Sequence, residues 1–259
     1  MLSELAMHWR YLWMVFASLL AGVINALAGG GSFLSFPAML AVGVAPIQAN
    51  ATNTVALWPG QVTSVAALRA DMRRDLLPVV IAASVLGGVS GAVVLLKTKQ
   101  MTFLHMVPWL LLVASVLFGV SGPVSRWLRR RSAEPHVPHR PKTVPLFLAL
   151  VPVCFYIGYF GAGAGFLIMT ALALFGVEEM NTLNALKVLA ACISNLCAVI
   201  TFIVSGAVEW KYCLVSMVFA GLGGYVGAQY SRRMNPNVLR AVVVSIGCVM
   251  AAYFFRRNG

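Results

Sequence analysis

Apolar residues recur along the chain in ten runs, at about 11–28, 32–43, 50–69, 76–96, 102–121, 144–160, 164–176, 183–205, 211–231 and 237–255. A few Gly, Pro or charged residues separate them, and most approach the roughly 20 residues a helix needs to cross hydrocarbon. No ten-residue alternating pattern suggests a barrel, and a lipid-exposed backbone must satisfy its own hydrogen bonds. The pattern therefore predicts an all-α integral membrane protein. The second and seventh runs are only about 12 to 14 residues long, and each directly follows a cluster of glycines. A broken or re-entrant piece is expected at each, giving eight full spans and two partial ones.

The runs fall into two sets of five. "LGGVSGA" at Leu86 to Ala92 returns 136 residues later as "LGGYVGA" at Leu222 to Ala228, and "GGGSFL" at Gly29 to Leu34 faces "GAGAGFL" at Gly161 to Leu167. Gly43-Val44 matches Gly176-Val177, and Asn50-Ala51 matches Asn184-Ala185. The shifts stay within a few residues of one another, as in an ancient duplication. Two tandem repeats follow, 1–125 and 143–259, joined by the basic, Pro-rich linker "RWLRRRSAEPHVPHRPK" at 126–142.

Composition agrees: the 259 residues are 60% apolar and 10% charged, with a mean hydropathy of +0.87. The formal charge of +12 sits in loops, where membrane orientation explains it, and no basic patch interleaved with stacking aromatics points to nucleic acid. If the short pieces do not cross, 13 Lys and Arg share the linker's side against 5; if they do, the repeats are inverted and the split is 12 against 6, Lys187 being set aside in both counts. Either way the linker is cytoplasmic. The five cysteines lie inside apolar runs without ligand spacing and read as small core residues. Arg10, an apolar run and Ala26 to Ala28 mimic a cleavable signal, but the matching segment in the second repeat makes this one structural.

Paired short segments interrupted by Gly in two halves mark the substrate site of a transporter. Where a helix restarts inside the membrane, its free amides and positive dipole end favour an anion. Gly29, Gly30, Gly31 and Ser32 would form one such start, and Gly161, Gly163 and Gly165 the other. Polar residues follow each: Asn50, Asn53, Thr54 and Gln61 in the first repeat, Asn184, Lys187 and Asn195 in the second. Polar side chains inside a membrane face the bundle interior or water and mark a pathway. Lys187 is the one cation in an apolar run; its counterpart when Asn50 is aligned on Asn184 is Asn53, so the charge is not duplicated. "LGGVSGA" and "LGGYVGA" read as helix packing. No carboxylate stands mid-membrane, Asp71 among Arg69, Arg73 and Arg74 reads as an ion-paired turn, and His105 lies near a helix start. There is no HExxH and no Walker loop, and "GYFGAGAG" lacks the strand and acidic partner of a dinucleotide loop. No enzyme, cofactor or metal site is expected.

"AGVINALAGGGSFLSFPAMLAVGVAPIQANATNTVAL" and "GYFGAGAGFLIMTALALFGVEEMNTLNALKVL" resemble the TauE/SafE family of sulfite exporters over nearly the whole chain. The resemblance implies a multi-pass permease of the bacterial inner membrane that exports sulfite or organosulfonates such as sulfoacetate. Export by alternating access of the two halves around an anion is the expected activity, with the bilayer and the anion as partners and a homodimer as one compatible assembly. The residues themselves leave open a carboxylate as cargo, an anion channel, or a membrane receptor or assembly protein without transport.

Overall fold

A computed structural model describes residues 2–28, 30–133, 143–177, 179–230 and 236–258. Among them the chain forms ten α-helices and no strand: α1 (Leu2–Ala28), α2 (Ser32–Ala41), α3 (Pro46–Leu68), α4 (Leu77–Lys97), α5 (Gln100–Ala133), α6 (Thr143–Tyr159), α7 (Gly165–Leu174), α8 (Met180–Val204), α9 (Trp210–Tyr230) and α10 (Pro236–Asn258). Each expected run is a helix, and both short ones, α2 and α7, are 10 residues long. The matched dipeptides Gly43-Val44 and Gly176-Val177 close them alike. Each glycine is left-handed, at φ +92° and +101°, and each valine amide reaches back to the helix, Val44 to the Met39 carbonyl and Val177 to that of Leu172.

Two boundaries differ from the sequence reading. The α5 helix runs to Ala133, through the first part of the expected linker, because "RWLRRRSA" holds strong helix formers and no Gly or Pro. In the turn after α3, Arg73 pairs with Asp75, not with Asp71. Asp75 lies two residues on, where the guanidinium meets both carboxylate oxygens.

Four helical stretches are long and apolar enough to cross a membrane by length and composition: His8–Ala26, Arg74–Lys97, Gln100–Val124 and Met180–Val204. The protein is multi-pass and all-helical. In α3 the polar positions turn inward, with Asn50, Thr52 and Asn53 buried.

Glycines set how the helices pair. A methyl group on Gly87 would lie 2.6 Å from the Val151 carbonyl, and one on Gly91 2.1 Å from that of Phe155, so α4 and α6 run parallel with backbones touching. In the same way Gly22 meets Ala220, Gly223 meets Leu19 and Gly227 meets Val23, so α1 and α9 run parallel. "LGGVSGA" and "LGGYVGA" are thus packing motifs. The α5 and α10 helices are antiparallel, with Trp109 against Phe255 and Ser115 against Gly247. The α2 helix folds back along α1, from Gly31 beside Ala21 to Ala38 in one cluster with Met14 and Ala17. Direction alternates at every turn, which puts the start of α1 and the end of α10 at one end of the bundle. The end of α5 and the start of α6 lie at the other.

Candidate functional site

The two helix breaks are built differently. At the second, Gly161 (φ +79°) and Gly163 (φ +75°) occupy left-handed backbone that other residues seldom adopt. The Gly161 amide donates to the Tyr156 carbonyl at 3.0 Å, ending α6. The α7 helix starts at Gly165, and Leu167 donates the first bond of its opening turn, to Ala164, leaving the Gly165 and Phe166 amides ahead of it. At the first break Gly31 is already helical, at φ −57° and ψ −34°. Glycine is required there because a methyl group would come within 2.5 Å of the Ala21 carbonyl. Gly31 therefore belongs to the start of α2 and not to an unwound stretch; Gly29 is outside the described residues. Gly30 packs against Val243 of α10.

The polar residues of α3 and α8 converge on these breaks. Asn50 donates its amide to the carbonyl of Tyr159, the last residue of α6, at 3.1 Å. Asn53, one turn further, donates to the Ser32 hydroxyl at 3.1 Å and accepts from Ser35, so it straps the opening turn of α2. Thr54 turns away from this face and donates to the Asn50 carbonyl of its own helix. Asn195 sits 3.8 Å from where a Gly161 methyl would be and donates to Gln61 at 3.0 Å, joining α8 to α3. These amides hold the breaks in place and leave few unpaired polar groups around them.

Lys187 occupies the start of α7. Its stem lies 3.5 Å from the position of a methyl group on Gly165, and its ammonium donates to the Asn184 amide oxygen at 2.6 Å. That partner is neutral, and the neighbouring helix N-terminus is the positive end of the dipole, so neither compensates an ammonium charge there. An ammonium withdrawn from water without an opposite charge is costly. No group of three His, Cys, Asp or Glu among the described residues could hold a metal. His105 is on the exposed side of α5, its ring nitrogen at 2.6 Å from the Met101 carbonyl.

Three contributors escaped the sequence reading. Tyr156 bonds the Ala162 carbonyl at 2.8 Å and pins the second break. Trp58 donates to the Cys192 carbonyl at 3.2 Å across α3 and α8, and Ser35 completes the strap on α2. Ser35 was legible, standing one turn after Ser32 on one helix face; the partners of Tyr156 and Trp58 are backbone carbonyls, which no side-chain pattern reveals.

A family model described as Sulfite exporter TauE/SafE matches residues 14–254. The chain belongs to the TauE/SafE family. Among curated relatives, the "Probable membrane transporter protein ORF9" of a Sinorhizobium species is 28% identical over 257 residues, 96% of this chain and 94% of the relative. The "Probable membrane transporter protein YfcA" of Escherichia coli K12 is 28% identical over 246 residues, covering 92% and 86%. A probable membrane transporter protein of Haemophilus influenzae is 27% identical over 238 residues, covering 90% and 89%. No solved structure matches. Family and relatives agree on membrane transport for this TauE/SafE protein.

Proposed function

We propose that this TauE/SafE protein exports a small sulfur-containing anion, sulfite or an organosulfonate such as sulfoacetate, across the bacterial inner membrane. The observation that carries the reading is Lys187 lying against Gly165 at the N-terminus of α7 with, among the described residues, an amide oxygen as its hydrogen-bond partner. A sulfonate is compact and anionic and offers three acceptor oxygens, which one ammonium and the Gly165 and Phe166 amides would suit. Asn50, Asn53 and Asn195 set the shape of the site by fixing the two breaks.

Helix pairing supports a duplicated architecture. The fourth helix of each half packs on the first helix of the other, α4 on α6 and α9 on α1, and the fifth helices, α5 and α10, pack on each other. With direction alternating at each turn, five segments bring the chain to the opposite end, so the halves are inverted. The Lys and Arg split is then 12 against 6, which puts the linker in the cytoplasm and both termini outside.

The exchange of fourth helices bears on alternating access. Moving one sequence half against the other would tear α4 from α6, whose backbones touch at Gly91 and Phe155. Helices α1, α2, α4, α6, α8 and α9 also share the largest buried core cluster, so residues 1–125 and 143–259 would not move against each other as rigid halves.

The test is thermal unfolding of the purified protein with sulfite, sulfoacetate, taurine, sulfate and simple carboxylates. A bound ligand raises stability by mass action, by about 2.7 kcal/mol at a hundredfold excess over Kd. Stabilisation by sulfite or sulfoacetate supports the reading; stabilisation by carboxylates alone replaces it with a carboxylate carrier.

A further inference from the structure

A cavity lies on the lipid-facing side of the short helix α2, lined by residues other than Lys187 and Gly165. It is a groove of about 400 Å³ between α1, α2 and α10, within the size range of ligand pockets. Its floor is apolar and buried, with Phe33, Leu34 and Pro37 of α2 and Phe254 of α10. Its rim is of another kind: Arg10 is exposed, Trp13 is 42% exposed and Tyr253 52%. Arg10 stands near the end of the candidate span His8–Ala26, at the level of a membrane interface, and no carboxylate among the described residues forms an ion pair with it.

The surroundings say what covers the groove. Beside it α1 presents Leu12 and Phe16, 60% and 54% exposed, and α10 presents Val249, 62% exposed, so the groove opens onto hydrocarbon. A cation and two amphipathic rings at one end of an apolar slot match a molecule with an anionic head and a hydrocarbon tail.

We propose that this groove binds one anionic glycerophospholipid, its phosphate on Arg10 and an acyl chain along α2 against Phe254. The lipid would back α2, the helix whose first turn is strapped by Asn53. This site is independent of the anion site, and its test reads lipid retention, not transport.

The experiment is native mass spectrometry of the full chain in detergent, with equimolar dioleoyl phosphatidylglycerol or dioleoyl phosphatidylcholine added. Wild type is expected to retain one phosphatidylglycerol at least fivefold more than phosphatidylcholine. Arg10→Gln removes that preference while leaving the fold intact, and Ala41→Leu, which fills the groove, lowers retention of both. Lys211→Gln, a cation change at the same end of the bundle but outside the groove, leaves the preference unchanged. Equal retention of the two lipids by wild type, or a preference that survives Arg10→Gln, overturns the proposal. So does a disulfide-linked dimer formed by Trp13→Cys in vesicles, which would assign the face to a second copy of the chain.

Discussion

The alkyl stem of Lys187 lies against Gly165, the first residue of α7, while its ammonium donates to the Asn184 amide oxygen at 2.6 Å. The stem and the charge can be separated. Lys187→Met keeps the packing and removes the cation, so the protein should remain folded, with a melting temperature at or above wild type, and lose stabilisation by anions. A thermal scan with and without ligand reads both. Gly165→Ala meets only ordinary contact and should fold normally while weakening anion binding several-fold.

Glycines of the parallel helix pairs should be far less replaceable. A methyl group on Gly88 would lie 2.5 Å from the Ser194 carbonyl, and one on Gly158 2.3 Å from that of Gly88, both backbone atoms that cannot turn away. Gly88→Ala and Gly158→Ala should each cost about 1–3 kcal/mol or more. Gly221→Ala, in the same kind of helix but facing open space, should be neutral or gain up to about 1 kcal/mol. Urea or thermal unfolding in detergent distinguishes the two groups.

The Asn195–Gln61 bond joins α8 to α3 beside the second break. Removing either partner strands the other amide in a largely buried position, at a cost of about 1–3 kcal/mol. A double-mutant cycle of Asn195→Ala and Gln61→Ala should return a coupling of about 0.5–3 kcal/mol. Additive losses would mean the two residues act separately.

The inverted arrangement predicts sidedness. Alkaline phosphatase fused after Phe255 should be active outside the cytoplasm, and the same fusion within residues 134–138 should be inactive. The opposite pattern would reverse the assignment of the linker.

Much of this architecture can be read in the sequence because each feature depends on local chemistry. Ten apolar runs give ten helices, and Gly43 and Gly176 mark the ends of the short ones since each needs a positive φ. Lys187 and the Asn residues were visible because polar groups are scarce in an apolar chain. What the sequence hides is relational. Gly31 and Gly161 look alike in the two glycine clusters, yet one is helical and selected by the Ala21 carbonyl, while the other is left-handed. Nothing local tells that α4 packs on α6 rather than within its own half, since the Gly87 and Gly91 faces fit any close backbone. The continuation of α5 past residue 125 was hidden by a charge run that reads as linker but has strong helix propensity.

In the proposed function, one lysine at a helix restart binds the transported anion. Counterflow of labelled sulfite or sulfoacetate into proteoliposomes preloaded with the same anion tests it most directly, comparing wild type with Lys187→Met. The account predicts saturable counterflow in wild type and a loss of at least tenfold in the variant, with both proteins equally folded. Undiminished counterflow in Lys187→Met would contradict it.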